Sequence, residues 1–151
     1  MGLKIARFLS LVFVALVLAP ALAHLLELPN KIGLSREEYL VVQQIYRGWQ
    51  LLGIVIYGAL LSTLALAILV RHQPRVFGLT LAAFLCLLAA HALFWVYTFP
   101  ANRETLYWTV LPDNWMALRQ QWEYSHAAGA VLNLIAFFLL IPAALISSHK
   151  H

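Results

Sequence analysis

Four apolar runs, over residues 6–28, 48–70, 76–99 and 124–147, fill most of the chain and constrain its fold more than any other feature. Roughly 20 apolar residues in a helix cover the ~30 Å hydrocarbon core of a bilayer, and lipid offers the backbone no hydrogen-bonding partner outside a helix or a closed barrel. The expected fold class is therefore all-α: a transmembrane antiparallel four-helix bundle, one domain over residues 1–151, with helices 2 and 4 extended beyond the outer membrane face. A mean hydropathy of +0.82 excludes an ordinary soluble domain. The pI near 9.5 does not point to nucleic acid, because the ten Lys and Arg residues are scattered. Topology and anionic lipid headgroups account for them, so membrane lipid is the expected partner. Cys86 is the one cysteine, which excludes an internal disulfide.

In chain order, residues 8–28 follow Lys4 and Arg7 and end in Ala21-Leu22-Ala23, a pattern shared by signal peptides and first spans. We read an uncleaved first helix, since cleavage would leave three spans and discard a partner for the polar groups described below. Pro29, Asn30 and Gly33 are expected to break it. Ser35 and Glu38 have the spacing of a capping box, and the helix they start is expected to run unbroken over residues 36–70, about 50 Å at 1.5 Å per residue. A basic turn at Arg71, Pro74 and Arg75 leads to a third span ending at Phe99-Pro100. The segment 101–114 is polar and turn-rich. Asp113 or Asn114 should cap the last helix, which runs from Trp115 to about Ile146, bends at Pro142 and gives way to a polar tail.

Lys4, Arg7, Arg71, Arg75 and Lys150 fall on one side with no acid among them, while the six Asp and Glu residues fall at or beyond the other. The bias places both termini in the cytoplasm, in what we take to be a bacterial inner membrane.

Ionisable groups do enter the spans. Arg119, Trp122, Glu123, His126 and Asn133 share one face of the last helix, and a polar stripe of this kind must face other helices or a wet cavity rather than hydrocarbon. Antiparallel threading brings His24 and Glu27, Arg47 and Gln50, and His91 to the same depth near the outer face. His91, Phe94, Trp95 and Thr98 form a second stripe. All five Trp residues lie towards this end, whereas an interfacial belt forms at both faces. A pocket for a flat, small aromatic or lipophilic ligand is the sharper reading. A metal site of iron or copper using His24, Glu27, His91, Glu123 and His126 is the alternative. Arg47 and Arg119 would repel a cation there, so an Arg119–Glu123 ion pair that orients His126 is preferred, with no cofactor.

The run Phe99-Pro100-Ala101-Asn102, then Trp108, Pro112, Asp113-Asn114-Trp115, Arg119, Trp122-Glu123 and His126, resembles the anthrone oxygenase-like family of small four-span membrane proteins. Gly129 stands where many members carry a basic residue. The resemblance implies oxidation of a small aromatic or quinone-like substrate by molecular oxygen without an obvious cofactor. His126 or His91 would remove a proton, and Arg119 would stabilise the anion. Trp95, Trp122, Asn102, Asn133, Arg47 and Gln50 would contact the substrate. The alternative is a non-enzymatic accessory subunit or ligand-binding protein, held in a homo-oligomer or a larger membrane complex.

Overall fold

The computed structural model describes residues 2–146, so Lys150 and the rest of the polar tail lie outside the described residues. The elements are α1 (Gly2–Lys31), α2 (Arg36–Gln43), α3 (Leu52–Leu69), α4 (Pro74–Leu93), α5 (Phe99–Glu104) and α6 (Trp115–Ile146). Four stretches are long and apolar enough to cross a membrane: Gly2–Lys31, Trp49–Leu69, Pro74–Glu104 and Trp115–Ile146. Their outward faces carry Phe8, Leu16, Leu61, Ile68, Leu85, Phe138 and Leu145. Such a continuous apolar surface suits lipid and not water, and the chain reads as an integral membrane protein.

The four long helices form an antiparallel bundle in which α1 packs on α3 and α6, and α4 packs on α6 and more narrowly on α3. At the end that carries Gly2 and Ile146, here called proximal, the core is built from small and branched residues such as Ala6, Val14, Ala83, Ala136 and Ala143. Small residues let helix backbones approach closely. At Gly58 the approach is close enough that a Cβ atom would lie 2.6 Å from the Phe13 ring. At the opposite, distal end a second core gathers Tyr39, Trp108, Leu111, Leu118 and Trp122.

Three expectations about continuity are corrected. The second helix is not unbroken over residues 36–70: after α2 the chain makes two 3-10 turns, Gln44–Tyr46 and Trp49–Leu51. They meet at Arg47, with ψ 130, and Gly48, whose φ of 87 is open to glycine at little steric cost. The break makes α2 a separate helix lying over the distal end, with Tyr39 and Gln43 buried beneath it. The first helix passes Pro29 and Asn30 and ends only at Lys31. The third span does not stop at Phe99-Pro100. A π-helical turn, Phe94–Thr98, gives the Phe99 amide the carbonyl of Phe94 as acceptor, and the helix continues through Pro100 to Glu104. One wider turn just before a proline accommodates the residue that cannot donate.

The capping box stands as drawn. Ser35 and Glu38 form the reciprocal capping box, with the Ser35 amide donating to the Glu38 carboxylate at 2.9 Å. The Asn114 carbonyl accepts the Leu118 amide at the head of α6, while its side-chain amide turns to Glu104 at 3.4 Å. Pro142 lies inside α6, which stays helical on both sides of it.

Candidate functional site

Within the distal half the four helices enclose a cavity of about 760 Å³. The break after α2 contributes to it, because Tyr46, Arg47, Trp49 and Gln50 of the two 3-10 turns and their junction line it instead of continuing a straight helix. Nine aromatic side chains stand in its walls among aliphatic ones: Tyr46, Trp49, Tyr57, Phe94, Trp95, Phe99, Tyr107, Trp108 and Trp122.

Two imidazoles of its lining meet. His24 of α1 and His126 of α6 stack with ring centroids 4.1 Å apart and planes inclined by 24°. The Trp122 indole sits edge-on to both, at 5.1 Å from His24 and 4.2 Å from His126. Tyr46 covers His24 at 4.7 Å. Nδ1 of His24 is buried with no hydrogen-bonding partner among the described residues. His91, across the cavity, accepts the indole proton of Trp95 on Nε2 at 2.9 Å, so its Nδ1 carries the proton of the neutral ring.

Asn102 has a structural task as well as a place in the wall. Its Oδ1 accepts the indole N–H groups of both Trp108, at 3.0 Å, and Trp122, at 2.9 Å. Indole nitrogens only donate, which fixes the orientation of this amide. Trp108 is delivered by a rare backbone: Leu106, Tyr107 and Trp108 all have positive φ, at 47, 57 and 61. Left-handed geometry costs an L-residue roughly 1–2 kcal/mol. The turn is held by the Tyr107 amide on Asn102 O, the Trp108 amide on the Thr105 hydroxyl and the Gln44 amide on Trp108 O. Such strain persists only where its surroundings over-determine it.

Behind the aromatic wall lies a charged network. The Lys31 ammonium, 4% exposed, stands 3.2 Å from Glu123, which is fully buried, and 3.3 Å from Glu27. Lys31 also donates to the Tyr46 hydroxyl at 2.6 Å, and Tyr46 donates to Glu27. Tyr39 donates to Glu123 at 3.0 Å and accepts from Gln43 at 2.6 Å. Burial first, and the neighbouring carboxylates second, push both tyrosine hydroxyls well above their ordinary range, so both act as donors.

This network corrects the expected Arg119–Glu123 pair. Arg119 instead donates to the Leu34 carbonyl at 2.7 Å, and its guanidinium lies 4.6 Å from the centre of the Trp115 ring and 5.3 Å from that of Tyr39. Glu123 is bonded to Lys31 and Tyr39 and makes no hydrogen bond to His126 among the described residues. A cation from α1 thus takes the carboxylate in preference to the arginine one turn away on α6. Neither Arg119 nor Glu123 lines the cavity. His126, His91, Trp95, Trp122, Asn102, Asn133, Arg47 and Gln50 do, and His24 joins them.

Sequence reasoning missed Lys31, Tyr39 and Tyr46 as parts of the site. The i, i+4 spacing of Glu27 and Lys31 was the available signal. Among the described residues no group of three or more His, Cys, Asp or Glu side chains is placed to hold a metal ion. Of the suggested ligands, Glu27 and Glu123 are held by Lys31 and by tyrosine hydroxyls, and His91 is bonded to Trp95. Comparison with family models, with curated proteins and with solved structures gives no match for this chain.

Proposed function

We propose that the distal cavity binds a small aromatic or quinone-like molecule, and that the protein is a membrane-embedded, oxygenase-like oxidoreductase acting on it. One observation carries the reading: an aromatic-walled cavity of about 760 Å³ in which His24 and His126 present stacked imidazoles. That volume lies within the ~300–1,000 Å³ of small-molecule sites. A neutral imidazole in such a cavity can take a proton from an acidic methylene or phenol flanked by aromatic rings. In the proposed reaction His126 removes a proton from an activated methylene, and the electron-rich carbanion adds dioxygen to give a hydroperoxide. Elimination of water leaves a ketone. The methylene is oxidised by four electrons and dioxygen takes up the same four, one oxygen atom entering the ketone and one entering water.

Because the substrate supplies the electrons, this reading calls on no cofactor. Arg119 lies behind the wall, so the Asn133 amide, which makes no hydrogen bond to another described residue, takes the place of anion stabiliser. The second reading, a non-enzymatic ligand-binding protein or accessory subunit, draws support from Glu123 and Arg119 being spent on holding elements together.

The test is oxygen uptake by the purified protein with an anthrone as substrate. One dioxygen consumed per anthrone, lost in His126→Ala with folding intact, is the expected outcome. Tight binding of the anthrone with no oxygen uptake would favour the carrier, and stoichiometric iron or copper by elemental analysis would redirect the chemistry to a metal. The reading also places the distal end outside a bacterial inner membrane, supported by Lys4, Arg7, Arg71 and Arg75 at the proximal end. Reporter fusions at the C-terminus and near Arg103 check that orientation, and cross-linking in membranes checks for a homo-oligomer.

A further inference from the structure

The cavity wall is thin where α3 faces α4, the narrowest of the four contacts between neighbouring long helices. Tyr57 on α3 and Trp95 in the π-helical turn both line the cavity and are 50% and 47% exposed. Ile54 and Leu61, a turn to either side of Tyr57, are exposed without lining it, so the face that carries Tyr57 also looks out of the bundle. The same side chains are thus inner wall and outer surface. Their depth follows from helix geometry. The span Trp49–Leu69 has 21 residues, about 30 Å at 1.5 Å per residue, which matches a ~30 Å hydrocarbon core. Tyr57 then lies about 12 Å inside the boundary. The outer surface at this seam therefore meets acyl chains and not water.

An indole N–H at that depth needs a protein partner, and His91 supplies it: Trp95 donates to His91 Nε2 at 2.9 Å, while Tyr57 leans edge-on against the same imidazole at 5.3 Å. Swinging Trp95 outward breaks that one hydrogen bond, so the bond to His91 is what holds the seam closed. The polar end of the cavity is separate, at the exposed Arg47 and Gln50 near the distal surface. A ligand suited to both parts has an apolar aromatic body and a polar edge.

We infer that the ligand is an uncharged aromatic amphiphile dissolved in the bilayer, and that it loads sideways between α3 and α4 past Trp95, which His91 tethers. This rests on the reading of the cavity as a ligand site. In that arrangement His91 is a positioning residue for the passage, and His126 is left as the base.

The experiment uses the full chain in lipid nanodiscs and measures loading rates of two probes by quenching of tryptophan fluorescence: dihydroxyanthraquinone, which partitions into lipid, and anthraquinone sulfonate, which stays in water. Loading of the first should follow its concentration in the bilayer. Trp95→Phe keeps the ring and removes the tether, so that rate should rise about fivefold, the worth of one hydrogen bond of ~1 kcal/mol, and by a clearly larger factor than the sulfonate's. Nanodiscs with brominated acyl chains give a readout independent of the ligand: Trp95→Phe should remove a bromine-quenched component of the fluorescence. Loading set by aqueous concentration alone, an equal change for both probes, or no quenched component lost would each overturn the lateral route while leaving a ligand cavity standing. Failure of both probes to bind would overturn the ligand-site reading itself, and the route with it.

Discussion

At the proximal end each hydrogen-bonded hydroxyl in a span returns to its own helix, whereas at the distal end polar side chains reach across to another element. Ser10, Ser62 and Thr80 bond the carbonyls of Ala6, Ala59 and Val76, one turn back. Glu123 instead joins α6 to α1 and α2, Thr98 meets Ser125 of α6 at 2.7 Å, and Asn102 ties Trp122 to the left-handed turn. The difference teaches why the cavity sits where it does. Small apolar residues close the proximal half by packing alone, and packing has no reason to leave a void. The distal half is spaced by directional bonds that fix distances between elements, and a cavity can persist between them.

The largest effect expected from this contrast is at Lys31. Lys31→Met leaves the buried Glu123 carboxylate without its cation and should cost about 3–5 kcal/mol, whereas combining it with Glu123→Leu should recover much of the loss. Thermal unfolding in detergent measures both, and a single mutant as stable as the parent would break the comparison outright.

Next comes Asn102. Asn102→Leu strands two indole donors, at about 2–4 kcal/mol, while Asn102→Asp keeps an acceptor and should be milder. Equal losses would mean that the amide acts by shape and not by bonding.

Smaller again, and aimed at both halves together, is a matched set of hydroxyl removals. Thr98→Val leaves Ser125 without its partner across the helices and should cost about 1 kcal/mol. Ser10→Ala and Thr80→Val should stay within ~0.5 kcal/mol, because the carbonyls they release keep their main-chain donors. Equal costs in the two halves would erase the distinction.

The smallest effect belongs to the local bonding of α2, where Ser35 bonding holds the Glu38 carboxyl below the usual carboxylate range. A depressed folded value stabilises above the unfolded pKa and is lost as pH falls through the folded one. Glu38→Gln should therefore lower the melting temperature slightly near neutrality, and the gap should close under acid. A gap that widened on acidification would show that the box works through something other than the charged carboxylate.

How much of this could be read in advance divides along similar lines. The presence of four spans, the capping box and the start of α6 follow from residues a few positions apart, and they are as the sequence suggests, though the spans' ends are not. The gathering of His24, His91, His126, Trp95 and Asn102 around one space was also legible, since antiparallel helices place residues of like depth together. The break at Gly48 was not, because an isolated glycine in an apolar helix is ordinary. It becomes a hinge only where the buried Tyr39 and Gln43 draw α2 off the helix axis. The partner of Glu123 was illegible for the same reason: Arg119 is near in sequence, but the Leu34 carbonyl and two aromatic faces claim it. The choice between Lys31 and Arg119 is made by tertiary packing.

The bond between Lys31 and Glu123 joins the first long helix to the last. A ribosome delivers these two residues far apart in time, so α1 enters the membrane with Glu27 as the only carboxylate within reach of its ammonium. Its second counter-ion arrives when α6 is made, after every other span is in place. Charge matching in this protein is thus a record of completed synthesis. A chain cut short before α6 leaves the Lys31 ammonium with Glu27 and the Tyr46 hydroxyl alone, one carboxylate short of its final set.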